Sequence, residues 1–96
     1  MPLLRRVVVS YDITDDKRRD AVFKILQGYG RHVQFSLFEC RLRQEDVLRM
    51  QNEVVEKILK DEDSVVYYFL CEDCARRIER IGVEKAFSTD EETMII

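Results

Sequence analysis

The segment Val7-Val8-Val9-Ser10-Tyr11-Asp12-Ile13 constrains this chain more than any other. Its β-branched run without clean alternation predicts a central strand covered on at least one face. A carboxylate, Asp12, stands near its end. Thr14-Asp15-Asp16 then supplies N-cap candidates and first-turn carboxylates for a helix. Val22, Ile25, Leu26 and Tyr29 follow at the i, i+3, i+4, i+7 spacing of an amphipathic helix, with Gly28 and Gly30 as its stop.

Residues 32–42 read as extended structure, and eleven residues is long for one strand. A turn or bulge near Phe35-Ser36 splits them into two. Glu45 to Lys60 reads as a second helix, with Val47, Met50, Val54 and Ile58 on its inner stripe and Leu48, Val55 and Leu59 widening it. Asp61-Glu62-Asp63-Ser64 is a charged loop, Val65 to Leu70 a further strand, and Cys74 to Ile81 a short helix ended by Gly82. Met94-Ile95-Ile96 forms a short extended tail after the acidic run Asp90-Glu91-Glu92.

The order β-α-β-β-α-β predicts an α+β, ferredoxin-like sandwich with an extra C-terminal strand, in one domain over 1–96. Helices cover one sheet face only. The other still carries apolar residues from Val7–Val9 and Val65–Leu70, so a second copy of the chain is expected there.

Charge is unevenly placed. The overall balance is −3, which argues against a strongly basic coat protein. Residues 1–43, however, carry nine basic and five acidic side chains, while residues 44–96 carry seven and fourteen. Eleven of the sixteen cations are Arg, the residue suited to bidentate phosphate contacts. With 36% charged residues, three Gly and one Pro, disordered and fibrous classes are excluded. The longest apolar run, Val65 to Cys71, is seven residues, so no membrane span is expected. Met1-Pro2-Leu3-Leu4-Arg5-Arg6 has no signal-peptide pattern. Three cysteines, an odd number with no disulfide framework to build, fit a reduced cytoplasmic setting.

Asp12 needs a reason. A carboxylate at the end of an apolar strand is costly unless solvated, hydrogen-bonded or bound to a cation. It could cap the following turn, or it could ligate a metal. One carboxylate is few for Mg²⁺, but a two-fold axis near the strand would supply Asp12 twice and hold a divalent ion for phosphodiester attack. Asp15 and Asp16 read as helix N-terminal carboxylates. Lys17-Arg18-Arg19, with Arg5, Arg6, Arg31, Arg41 and Arg43, form either a solvated face or a track for a phosphate backbone.

Ser10-Tyr11-Asp12-Ile13, Asp15-Asp16-Lys17-Arg18-Arg19, Tyr29-Gly30, Val33-Gln34 and Ser36-Leu37-Phe38-Glu39 fall in one order with near-fixed spacing. Together with Asp63-Ser64-Val65 and Cys71-Glu72-Asp73-Cys74, they resemble the small CRISPR-associated endonuclease family of spacer acquisition, the Cas-two proteins. The resemblance covers nearly the whole chain. It implies a ferredoxin-like homodimer whose C-terminal extension, here 83–96, packs on the partner subunit. It implies a Mg²⁺- or Mn²⁺-dependent nuclease acting on single-stranded RNA or double-stranded DNA, with Asp12 as catalytic residue and metal ligand. Arg19 and Phe38 match positions linked to the active site, Arg18 and Arg19 positions linked to substrate, and Arg31 a basic contact displaced by one residue. For Phe38, sheet packing is the competing reading. His32 fills the slot where the family often has Arg, and reads as a surface or hydrogen-bonding residue. A CRISPR integrase is the implied protein partner, and in that setting the dimer can serve as a non-catalytic DNA-holding scaffold. A third reading, an RNA-binding ferredoxin-like module, is disfavoured because Tyr67, Tyr68 and Phe69 are consecutive and point to both faces. Cys71-x-x-Cys74 offers two of four zinc ligands, and packing of its thiols at a strand-to-helix junction is the expected role.

Overall fold

The computed structural model describes residues 3–82. Its elements are β1 (Arg5–Asp12), α1 (Asp16–Gln27), β2 (Gly30–Gln34), β3 (Leu37–Leu42), α2 (Gln44–Val55), β4 (Ser64–Leu70) and α3 (Glu72–Arg76). The four strands form one antiparallel sheet in the order β2-β3-β1-β4. This is the expected ferredoxin-like arrangement. The expected C-terminal strand and the extension 83–96 lie outside the described residues.

Strand β1 is central, and its side chains divide by period two. Val7, Val9 and Tyr11 are buried under the helices, whereas Arg6 and Asp12 on the other face are exposed. The core closes with Phe38, Cys40 and Leu42 from β3, Val22 and Leu26 from α1, and Val47, Met50 and Val54 from α2. The sheet thus has a covered face and an open one. Val8, Leu37, Val66 and Tyr68 share the open face, Val66 and Tyr68 being exposed.

Several boundaries differ from the sequence reading. Helix α2 stops at Val55 rather than continuing to Lys60. The Asp63 carboxylate accepts the Leu59 N–H at 2.8 Å while the Asp63 N–H donates back to the Leu59 carbonyl, so the chain is turned before it can wind on. Leu48, Val55 and Leu59 are exposed instead of widening the buried stripe. The last helix occupies Glu72–Arg76 rather than 74–81, and ends well before Gly82.

Gly30 opens β2, and the helix stop falls to Gly28, its C-cap. A Cβ on Gly30 would lie 2.4 Å from the Glu39 carbonyl oxygen and 2.5 Å from Cys40 Sγ, so the close approach of β2 and β3 requires glycine there. The β2–β3 turn carries Phe35 at a positive φ of 31° and almost fully exposed. The Tyr11 N–H donates to the Ser36 carbonyl at 3.1 Å, which ties this turn to the end of β1. No helix among the described residues is long and apolar enough to cross a membrane.

Candidate functional site

Asp12 is the last residue of β1 and opens onto the uncovered sheet face beside its register partner Ser64. The sequence left two roles for it, turn cap or cation ligand. Helix α1 is capped by Asp15, whose Oδ2 accepts the Arg18 N–H at 2.9 Å. Asp12 makes no side-chain hydrogen bond or ion pair among the described residues. It is an exposed hard-oxygen donor with no capping or pairing role among the described residues. That suits a divalent ion such as Mg²⁺, which takes one or two carboxylates and keeps much of its water. Among the described residues, no three His, Cys, Asp or Glu gather around one point.

Arg19 shares the Asp12 end of β1. Its Nη1 donates to the Ile13 carbonyl at 3.0 Å and the Thr14 carbonyl at 3.3 Å, and Nη2 pairs with Asp16. The guanidinium is held against the two residues that follow Asp12. It also lines an open cleft of about 540 Å³ with Tyr11, Asp16, Asp20, Phe23, Phe35 and Ser36. Burial pushes the Tyr11 phenol up, and the Arg19 charge partly offsets this.

Arg18 is committed elsewhere. Its Nε donates to Asp63 Oδ2 at 2.7 Å, and its Nη2 donates to Asp63 Oδ1 at 3.2 Å and to Glu62 at 3.1 Å. The Asp63 side chain is fully buried and also takes the Leu59 amide. This network fastens α1 to the loop entering β4, and so fixes the two chain segments that flank Asp12.

The Arg18 guanidinium, followed by the Leu59 amide, holds the Asp63 carboxyl below its ordinary value of 3.8. A depressed folded-state value means stabilisation that is complete above the ordinary value and is lost as pH falls through the folded one. Thermal melts should therefore show Asp63→Asn lowering the Tm at pH 7, with the gap to the unsubstituted chain closing below about pH 4. A gap independent of pH would show that Asp63 acts by shape and not by charge.

Arg31 lies apart from Asp12. It faces Glu39 at 3.4 Å, and Glu39 in turn pairs with Val8 of β1. Four residues along β1 and two strands across place it about 13 Å down the sheet and about 10 Å sideways from Asp12. Phe38 is buried on the covered face, ringed by Phe23 at 5.4 Å, His32 at 5.1 Å and Tyr11 at 6.3 Å. Packing is what the structure shows for it, and the ring does not share the face of Asp12. His32 belongs to the same aromatic group, and its Nε2 hydrogen bonds the Phe35 carbonyl.

Of the basic residues grouped from sequence, Arg6, Arg31 and Arg41 come together away from Asp12, joined by Arg80, which that grouping lacked. Arg6 and Arg41 are direct cross-strand partners on the open face. With Arg31, Glu39 and Arg80 they line a cavity of about 210 Å³, and Arg80 reaches Glu39 from beyond α3. Strand alternation could have placed Arg6 and Arg41 together. Nothing in the spacing pointed to Arg80.

Comparison with known proteins agrees with this architecture. Residues 5–78 match the family model for CRISPR associated protein Cas2. A CRISPR-associated endoribonuclease Cas2 of Thermus thermophilus is 37% identical over 78 residues, covering 81% of this chain and 83% of the relative. The crystal structure of Streptococcus pyogenes Cas2 superposes with a TM-score of 0.71 at 30% identity, over 80% of this chain and 99% of that one. A chain of a partial Cas6-RT-Cas1–Cas2 complex superposes with a TM-score of 0.66 at 26% identity, over 80% of this chain and 90% of its own. With a match over residues 5–78, which span the whole βαββαβ unit, the chain belongs to the CRISPR-associated Cas2 family.

Proposed function

We propose that this protein is a homodimeric, divalent-metal-dependent nuclease of CRISPR spacer acquisition, with Asp12 of each copy at a shared site. The observation that carries the reading is Asp12 itself, an exposed carboxylate at the end of the central strand that the fold does not use for capping or pairing. The relatives named endoribonucleases support the activity class. The uncovered apolar residues Val66 and Tyr68 support a second copy on the open face.

Mg²⁺ or Mn²⁺ would be held by the two Asp12 carboxylates, where it would supply a water made nucleophilic at neutral pH and neutralise charge on the phosphodiester. The chain does the rest. Asp12 fixes the position of the reacting centre at the strand end. Arg19, braced on two carbonyls, presents a positive charge beside it that attracts a nucleic-acid phosphate. Arg18 contributes by holding α1 against the Asp63 loop.

The experiment uses the full chain with labelled single-stranded RNA and double-stranded DNA, in Mg²⁺, Mn²⁺ or EDTA. Cleavage should fall at least about 100-fold in EDTA, and sedimentation should give twice 11.5 kDa. Cleavage insensitive to EDTA, or a monomer, overturns the reading. A second reading has its own support, the similarity to a chain in a complex that contains Cas1. In it the dimer is a DNA-holding scaffold for the Cas1 integrase. Absence of cleavage with DNA and Cas1 binding intact would select it. Residues 90–96, the docking region that reading assigns, lie outside the described residues.

A further inference from the structure

Cys71 and Cys74 are the one chemically distinctive pair that neither reading employs. Both thiols are exposed, contrary to the packing expected from sequence, while the third cysteine, Cys40, is buried in the core. Cys71 is the N-cap of α3, with φ −73° and ψ 169°, and its sulfur accepts the Cys74 N–H at 3.3 Å. The two residues are one turn apart. Helical geometry sets their Cα atoms about 5 Å from each other, inside the window of about 4.4–6.8 Å in which a disulfide closes without backbone movement.

We propose that Cys71 and Cys74 form a reversible dithiol–disulfide site, with Cys71 the attacking thiolate and Cys74 the resolving thiol. The assignment of roles follows from the hydrogen bonds. The Cys74 amide donates to the Cys71 sulfur and holds that thiol below its ordinary value. The adjacent Cys71 sulfur pushes the Cys74 thiol up. Burial raises the Cys40 thiol to about 12, which removes it from exchange.

The partner is a low-molecular-weight disulfide such as glutathione disulfide. The Cys71 thiolate attacks one of its sulfurs, forming a mixed disulfide and releasing one glutathione thiolate. Cys74 then gives up its proton and attacks the Cys71 sulfur, forming the Cys71–Cys74 bond and releasing the second glutathione thiolate. The protein dithiol loses two electrons, the small disulfide gains them, and the two thiolates take up the protons. The pair sits at the joint between β4 and the segment carrying Ile78 and Arg80 to the open-face cavity. The site is independent of the nuclease reading.

The test is intact-mass analysis of the full chain after denaturing alkylation, from buffers with glutathione disulfide in excess or with reductant. Oxidised protein should take up one alkyl group, mapped to Cys40, and reduced protein three. In native protein at neutral pH, Cys71 should alkylate at least about tenfold faster than Cys74. Cys74→Ser should stop at a single glutathione adduct on Cys71. Cys71→Ser, with its circular dichroism unchanged, should form adducts at least about tenfold more slowly. Three free thiols in excess glutathione disulfide, equal adduct rates in the two variants, or a disulfide between chains in place of the internal one would each overturn the proposal.

Discussion

Asp12→Ala is expected to abolish metal-dependent cleavage, by at least about 100-fold, while leaving the fold intact. The two halves of this expectation have separate origins. The carboxylate is exposed at the strand end and has no hydrogen bond or ion pair among the described residues, so its loss leaves no buried group unsatisfied. Substitutions at such positions fall within about 0.5 kcal/mol of neutral. On the proposed function catalysis is a different matter, because the dimer would lose both of its acidic ligands at once. Asp12→Asn keeps the shape and one oxygen but removes the charge, so it should also fail. It separates charge from sterics. Asp15→Ala is the contrasting variant: it removes the α1 cap, should cost about 1 kcal/mol of stability, and should leave cleavage of the folded protein within a few-fold. Unchanged cleavage in Asp12→Ala would assign the nuclease to a contaminant. Equal loss in Asp15→Ala would mean that distortion of the strand end, and not ligation, is being measured.

Much of this arrangement is legible in residue order, and the failures have a common form. The β-branched run Val7–Val9 places β1, and the stripe Val22, Ile25, Leu26 places α1, because both signals are local. Asp12 stands out for the same reason, as a carboxylate that interrupts an apolar strand. What sequence could not show is who pairs with whom. Arg18 looked like one more cation in a basic run, yet its partner Asp63 lies 45 residues away. The same Asp63 ends α2 early by taking the Leu59 amide, an event that helical periodicity does not encode. Charge alone grouped Arg31 with Arg18 and Arg19 as well as with Arg6 and Arg41, whereas strand order separates it from the first pair and sets it with Arg6, Arg41 and Arg80. Gly30 was legible as a break but not as a contact. Its necessity comes from the Glu39 carbonyl on the neighbouring strand.

Phe38→Ala is expected to have the largest effect on stability of any single truncation in the core. The ring is fully buried and meets three other rings, from β1, α1 and β2, so its removal opens a void where sheet and helix join. Truncations of this kind cost about 3–5 kcal/mol, against a total of about 5–15 kcal/mol for a typical domain. For a domain of this size the Tm should fall by more than about 12 °C, read by calorimetry or far-UV circular dichroism. Phe38→Leu keeps most of the volume and should cost markedly less. That variant also decides the ring's role. A residue with no exposed surface cannot touch a nucleic acid unless the core opens, so Phe38→Leu, assayed well below its melting temperature, should retain cleavage within a few-fold. Loss of cleavage in a Phe38→Leu protein of near-normal Tm would instead establish that the ring reaches the substrate in a rearranged dimer.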